Sequence, residues 1–141
     1  MSLPKQNNVR KILGRVEKVG IPEWGLYDIK AKIDTGAYTS SLHCHHIVPL
    51  DDNRVRFNLL DPSHKNYNEK LFEVPAFNIK KVKSSNGFTE ERIIIKTTIV
   101  IAGQSLLTQL SLTDRSRMRY PLLIGRKLLK NRFLVDVSKT Y

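Results

Sequence analysis

An acid, a hydroxyl and a glycine stand together at Asp34, Thr35 and Gly36. A carboxylate at the base of a turn, with backbone N–H groups left open to it by a glycine, is positioned for proton transfer. The same three residue types also occur in ordinary turns at strand ends. Other parts of the chain must therefore distinguish proton chemistry from a structural turn.

The residues before Asp34 alternate between apolar and polar. Ile29, Ala31 and Ile33 fall on one face at period two, which predicts a half-buried strand that delivers Asp34 to its turn. A first strand is predicted at residues 9–19, with Gly14 as a β-bulge, and the turn cluster 20–25 joins the two strands into a hairpin.

The remainder of the chain also reads as short strands. Asn86-Gly87 predicts a type I′ hairpin turn, and residues 127–130 are good helix formers. Further strands are predicted at residues 40–48, 54–60, 71–82 with a break at Pro75, 90–101, 105–112, 122–124 and 133–135. The sequence therefore predicts an all-β fold, a small closed β-barrel with one short C-terminal helix, in a single domain over residues 1–141.

Composition narrows the class of protein. The single cysteine, Cys44, excludes an internal disulfide, and no apolar run approaches the length of a membrane span or a signal peptide. We therefore expect a soluble, cytoplasmic protein.

The 24 Lys and Arg against 13 Asp and Glu give a net charge of +11, but these cations are scattered and form no recognised nucleic-acid motif. A solvated basic surface that favours anionic ligands is the simpler interpretation.

A second motif lies about 90 residues after Asp34, where Leu123-Ile124-Gly125-Arg126 forms an apolar strand ending in glycine. Together, the two motifs resemble the signatures of retropepsin-like aspartic proteases. The resemblance implies that the apolar-apolar-glycine strand packs beneath the Asp34 turn. It also implies a flap hairpin at residues 82–89, a substrate-facing loop at 113–119, and extra material at about 47–75 relative to the smallest members.

One bacterial branch of that family is a closer match. The residues that carry this resemblance are 32–37, Ser41-Leu42-His43, Leu112 to Arg115, Met118 and 121–126. The branch is labelled as ATP-dependent zinc proteases and is associated with ATP-grasp ligases that add glutamate to protein. The resemblance therefore implies a peptide or protein substrate and an ATP-grasp ligase as a partner.

A chain with one Asp-Thr-Gly can pair its carboxylate only across a two-fold axis. The resemblance thus implies a homodimer in which the paired Asp34 carboxylates activate water, with Thr35 bridging the two turns and Gly36 contributing backbone. The substrate contacts it implies are Ala37, Tyr38, Asn86, Gly87, Arg117, Arg119 and Arg126. In familiar members an acid follows the alanine and pairs with the arginine, whereas here Tyr38 stands in that place. Arg126 therefore needs another partner or faces substrate.

Neither a zinc site nor a cofactor is predicted from the residues. The chain has no His-Glu-x-x-His and no phosphate-binding glycine loop, so ATP would belong to a partner enzyme. On a regular strand, His43 and His45 would face one side while Cys44 and His46 face the other. Two ligands on one face are fewer than a zinc site usually needs.

Three functions remain open from the sequence. The first is a homodimeric aspartic peptidase, for which an acidic, glutamate-rich substrate would suit the net charge and the arginines of residues 115–119. The second is a non-catalytic dimeric module that binds peptides or regulates a partner, and it would tolerate loss of the Asp34 carboxylate. The third is a basic barrel that binds nucleic acid, with an affinity that falls steeply as salt rises.

Overall fold

The computed structural model describes residues 9–59, 69–83, 87–114 and 120–140, and it is built mainly of strands. In this part of the chain the only α-helix is α1 (Arg126–Leu129). The strands are β1 (Lys11–Leu13), β2 (Val16–Ile21), β3 (Leu26–Ile33), β4 (Ser40–Leu50), β5 (Arg54–Leu59), β6 (Leu71–Pro75), β7 (Asn78–Lys83), β8 (Thr89–Ile101), β9 (Gln104–Thr113), β10 (Leu122–Ile124) and β11 (Phe133–Val135). The predicted all-β class is confirmed.

Six of these strands close into a barrel. Their order is β10, β3, β2, β8, β9 and β4, and β4 then returns to pair with β10. Strand β10 closes the barrel because it runs parallel to β3 on one side, with Leu122 opposite Ala31, and antiparallel to β4 on the other, with Leu122 opposite Leu42. The strand that carries Asp34 is thus hydrogen-bonded directly to the predicted apolar-apolar-glycine strand.

The barrel core is formed by the inward faces of these strands. Ile29, Ala31 and Ile33 are buried on β3 while Lys30 and Lys32 are exposed, as the alternation predicts. Burying an isoleucine side chain contributes about 1.5–3 kcal/mol to the stability of the fold. A slip of one residue would move these three side chains out of the core and turn Lys30 and Lys32 into it. Burial therefore fixes the register of β3, and with it the position of Asp34.

The segment 47–75, where described, extends the barrel sheet. Strand β5 pairs antiparallel with β4, and β6 pairs with β5. The ring centroid of Trp24 lies 5.8 Å from that of Phe57 and 5.8 Å from that of Phe72. These three aromatic rings attach the extension to the turn after β2, so Trp24 is a core anchor.

The predicted first strand is wrong in one respect. Residues 9–19 do not form one bulged strand, because β1 pairs in parallel with β11 in a separate two-stranded sheet, whereas β2 enters the barrel. Gly14 lies at the break, and a Cβ atom there would approach the Lys139 carbonyl oxygen. The glycine therefore allows the C-terminal segment to pass close to the backbone rather than forming a bulge.

Two hairpins frame the long strand β8. The turn from β8 to β9 has positive φ at both Ala102 (49°) and Gly103 (76°), as a type I′ turn requires. The predicted flap corresponds to the β7–β8 hairpin, in which Lys83 pairs with Thr89. Its predicted tip residue Asn86 lies outside the described residues, whereas Gly87 is described and has φ of +88°. Within the described residues, no helix is long and apolar enough to span a membrane.

Candidate active site

The Asp34 turn is held by backbone hydrogen bonds on both sides of the carboxylate. The Asp34 N–H donates to the Ile124 carbonyl at 2.8 Å, and the Ala37 N–H donates to the Asp34 carbonyl at 3.2 Å. The Gly36 N–H donates to Asp34 Oδ1 at 2.9 Å. A charge-assisted bond of this kind fixes the direction of the carboxylate, which is half-buried at the end of β3.

Strand β10 and helix α1 support this turn from below. The Arg126 and Lys127 N–H groups donate to the Ala37 and Tyr38 carbonyls at 2.8 and 2.9 Å. The Gly125 N–H donates to the Ser40 hydroxyl oxygen at 3.0 Å. The first N–H groups of a helix have no acceptor inside the helix. The Ala37 and Tyr38 carbonyls provide acceptors for two of these N–H groups in α1. The sequence motifs that were 90 residues apart therefore form one hydrogen-bonded unit.

Arg126 finds a partner that the sequence did not reveal. Its guanidinium Nη1 donates to the Thr35 carbonyl at 3.0 Å, and its Cζ lies 5.8 Å from the centroid of the Tyr38 ring. The carbonyl thus replaces the missing acid as the acceptor. Thr35 and Gly36 are exposed at this end of the barrel, and Tyr38 is 60% exposed.

Replacing Arg126 by alanine is expected to loosen the Asp34 turn without unfolding the barrel. The variant loses one hydrogen bond to Thr35, worth about 1 kcal/mol, so local opening should become roughly fivefold more frequent. Amide hydrogen exchange followed by NMR should therefore show faster exchange at Gly36 and Ala37.

Lys127→Ala is the matched control for this experiment. Lys127 follows Arg126 on α1, is also exposed, and donates from Nζ to Gln109 Oε1 at 3.1 Å, away from the turn. Its removal should leave exchange at Gly36 unchanged. Equal exchange rates in the two variants would show that the Arg126 side chain does not support the turn.

The other predicted site residues are only partly described. Gly87 lies on the β7–β8 hairpin, not on the Asp34 turn. Asn86, Arg117 and Arg119 lie outside the described residues, and so does Met118. The unit that the structure brings together is therefore Asp34 to Tyr38 with Gly125 and Arg126. Sequence reasoning missed Ser40, whose hydroxyl binds the Gly125 N–H, because nothing distinguishes it from an ordinary residue at the start of a strand.

The alternation predicted for residues 43–46 is wrong at His46. The strand has an irregular register between His45 and Val48, and His46 has φ of +53°. As a result, the neighbouring rings of His45 and His46 lie with their centroids 3.8 Å apart, and His46 Nδ1 lies 3.0 Å from Asn58 Oδ1. A regular strand would place these two rings on opposite faces.

The surroundings of these residues differ from one to the next. His43 is fully buried, with Nδ1 3.3 Å from the Thr113 carbonyl oxygen. His45 Nδ1 lies 3.8 Å from the Asp114 carboxylate. Burial, reinforced by the negative charge of Asp114, raises the pKa of the Cys44 thiol well above its usual range. In the described part of the chain, no three His, Cys, Asp or Glu side chains are grouped so as to hold a metal ion.

Fold and site together define a class of protein. A closed barrel in which an Asp-Thr-Gly turn rests on an apolar-apolar-glycine strand is the arrangement of retropepsin-like acid proteases. The family model described as "RimB-like: Retropepsin-like aspartic endopeptidase RimB" matches residues 12–141. The chain belongs to this RimB-like family.

Two curated relatives are named as glutamate ligases and are much longer than this chain. The chain is 36% identical over 129 residues to a "Probable alpha-L-glutamate ligase" of Parasynechococcus marenigrum. This match covers 89% of the chain and 28% of the ligase. A protein of the same name from Shewanella pealeana is 34% identical over 133 residues, covering 92% and 29%. The chain thus spans less than a third of the length of these relatives.

Among solved structures, the crystal structure of a Legionella pneumophila protein with unknown function matches with a TM-score of 0.74 and 28% identity. The match covers 94% of this chain and 98% of the Legionella chain. In that case the similarity extends over nearly the whole of both chains.

Proposed function

We propose that the protein is an aspartic peptidase whose active site forms between two copies of the chain. Asp34 of each protomer would supply one carboxylate, since the chain contains a single Asp-Thr-Gly. Two carboxylates about 3 Å apart cannot both ionise cheaply, so they share a proton. The ionised member deprotonates water while the protonated member polarises the peptide carbonyl.

The observation that carries this proposal is the fixed Asp34 carboxylate. Its Oδ1 accepts the Gly36 N–H at 2.9 Å, and the turn is tied to β10 through the Ile124 carbonyl. General acid–base catalysis needs a carboxylate held within a fraction of an ångström of its working position. An ordinary Asx-turn also has a hydrogen bond from the N–H two residues on to the Asp side chain. Catalysis is favoured because this turn is also tied to the apolar-apolar-glycine strand, in a chain that belongs to an aspartic endopeptidase family.

The remaining site residues are assigned by position. Thr35 would bridge the two turns through its hydroxyl, and Gly36 would hold the carboxylate. We assign Ala37, Tyr38 and Arg126 to the walls of the cleft. The family resemblance adds the flap residues Asn86 and Gly87, and Arg117 and Arg119 of the loop at residues 113–119, to the proposed substrate contacts.

We further propose that the substrate is an acidic peptide. The net charge of +11 favours a negatively charged partner through long-range attraction. The relatives named glutamate ligases make a glutamate-containing peptide the simplest such partner. The chain would then hydrolyse peptide bonds in a protein to which an ATP-grasp ligase adds glutamate.

A second function is favoured by the length of those relatives. Because the chain matches less than a third of each ligase, its counterpart there is one part of a larger protein. Such a part could bind the acidic peptide for the ligase without cleaving it. This non-catalytic module would bind peptides as a dimer and would keep that binding when the Asp34 carboxylate is removed.

Sedimentation equilibrium combined with peptide cleavage tests the shared site. We expect a species of twice the 16.2 kDa chain mass, and cleavage per chain that rises with protein concentration as this dimer forms. Cleavage by a species that stays monomeric throughout would contradict the proposal, because each Asp34 would then act without its mate. A dimer that cleaves none of a library of acidic peptides would favour the binding module.

A further inference from the structure

A groove with a basic rim lies between helix α1 and the outer face of the β7–β8–β9 sheet. It encloses a cavity of about 440 Å³. Strand register explains its composition, because Lys80 pairs with Arg92, and Lys96 pairs with Gln109. Alternate residues of β8, such as Ile93 and Ile95, point into the barrel core, so Arg92 and Lys96 face outward.

The described residues that line this groove include five cations and no Asp or Glu. The cations are Lys80, Arg92, Lys96, Lys127 and Arg132. A concave surface lined by one sign of charge concentrates the electrostatic field and attracts the opposite charge. In addition, like charges directly opposite each other in a sheet are destabilising, and Lys80 and Arg92 form such a pair. A bound anion would relieve that repulsion.

Three of these cations are held in place by uncharged groups. Lys96 Nζ lies 3.8 Å from the centroid of the Phe77 ring, and Arg132 Nη1 donates to the Leu128 carbonyl at 3.0 Å. Lys127 Nζ donates to Gln109 Oε1. These contacts orient the positive groups without neutralising them. The rim is therefore pre-organised for a negatively charged ligand.

The spacing of the cations favours an extended acidic chain over a compact anion. Arg92 and Lys96 are four residues apart on one strand, which separates them by about 13 Å. A single phosphate could contact both only if the two side chains bent toward each other, and Lys96 is instead held against the Phe77 ring. In an extended peptide, side chains on one face recur about every 6.8 Å, so glutamates at i and i+4 match this separation.

The floor of the groove suits a peptide better than a nucleic acid. Its described lining contains no aromatic ring on which a base could stack, and the ring of Phe77 beside it carries Lys96. Instead, Ile94 and Leu128 give an apolar floor. Ser111 Oγ is buried there and has no hydrogen-bond partner among the residues that the structure describes, and a peptide backbone group would satisfy it.

We propose that this groove binds an extended acidic peptide segment at a site separate from the Asp34 turn. Its described lining begins at Thr39 and Ser40, which directly follow that turn, and includes none of residues 34–38. A segment bound here would hold a substrate while another part of it reaches Asp34. The inference deepens the proposed function and rests on it only in taking the bound segment to belong to the substrate.

Peptide binding by charge-reversed proteins tests this inference. The probe is a fluorescein-labelled peptide of about 12 glutamates, long enough to span the groove at about 3.3 Å per residue. Fluorescence anisotropy is measured with Asp34→Asn protein, so that cleavage cannot remove the probe. We expect Lys80→Glu with Arg92→Glu to weaken binding at least roughly tenfold, because two attractive contacts become repulsive.

The matched control is Lys18→Glu with Lys30→Glu. These two exposed lysines also face each other across an antiparallel pair, between β2 and β3, and neither lines the groove. The net charge changes equally, so binding should weaken no more than about twofold. Lys127→Glu, on the helix wall, provides a second variant if the double variant fails to fold, and it should also weaken binding.

Three results would overturn the inference. One is equal loss in the groove and control variants, which would mean that only net charge matters. Another is unchanged binding in both groove variants. The third is a single-stranded RNA of the same charge that binds the groove as tightly as the peptide. None of these depends on cleavage, so failure of the proposed peptidase activity would be recognised separately, by absence of cleavage in the native protein.

Discussion

Replacing Asp34 by asparagine is expected to abolish peptide cleavage, with kcat/KM reduced at least about a thousandfold. An amide neither takes a proton from water nor shares one with a second carboxylate. The fold should survive, because asparagine has the same shape and its side-chain oxygen can still accept the Gly36 N–H. The free energy of unfolding, measured by thermal unfolding followed by circular dichroism, should therefore change by less than about 1 kcal/mol.

Asp28→Asn is the matched control for this change. Asp28 lies on the same strand, β3, is exposed, and has φ of +57°, a conformation that asparagine tolerates well. Its replacement should leave cleavage unchanged. Full cleavage by the Asp34→Asn protein would exclude the proposed chemistry, because a group other than Asp34 would then have to activate water.

Mixing native and Asp34→Asn chains gives a sharper test of the shared site. If each active site needs one carboxylate from each protomer, a mixed dimer is inactive. Excess Asp34→Asn chain should therefore suppress the cleavage by native chains as subunits exchange. An unchanged rate per native chain, once mixed dimers are shown to form, would mean that each protomer works alone.

Much of this site could be predicted because its residues lie on short elements with clear local signals. The period-two pattern of β3 gave its bounds, Leu26–Ile33, and Gly125 ends the apolar strand β10 at Ile124. Their contact is different in kind. No local pattern brings together strands that lie 90 residues apart, and it was the resemblance to a family that placed β10 beneath the Asp34 turn, as the register of Ile124 with Ile33 confirms.

What the sequence concealed depends on contacts between distant segments. From the sequence, Gly14 is interpreted as a bulge, because the sequence does not show that the Lys139 carbonyl packs against it. The break between β1 and β2 lies at this contact. Likewise, Lys80, Arg92 and Lys127 are scattered along the chain and read as solvated surface. Strand register and the position of α1 place them around one groove. Period and propensity carry no information on such juxtapositions.

Gly125→Ala is expected to destabilise the whole protein by about 3 kcal/mol or more. The added Cβ would lie 2.5 Å from the Thr39 carbonyl oxygen, 2.7 Å from the Thr39 carbonyl carbon and 2.8 Å from the Tyr38 carbonyl oxygen. All three are backbone atoms, so no side chain can rotate away. The segment is also tied down, because the Lys127 N–H donates to that Tyr38 carbonyl. Urea unfolding should show the loss as a lower midpoint with an unchanged slope.

Gly20→Ala separates this clash from a general effect of replacing glycine. Gly20 lies within β2, and an added Cβ there meets its nearest atom, Cδ1 of Tyr27, at 3.5 Å, an ordinary contact. The free energy of unfolding of the Gly20→Ala variant should change by less than about 1 kcal/mol. An equal midpoint for Gly125→Ala and the native protein would mean that β10 can move away from residues 38 and 39. The clash should also displace the Asp34 turn, which hydrogen-bonds to the Ile124 carbonyl, so cleavage by the molecules that remain folded should fall as well.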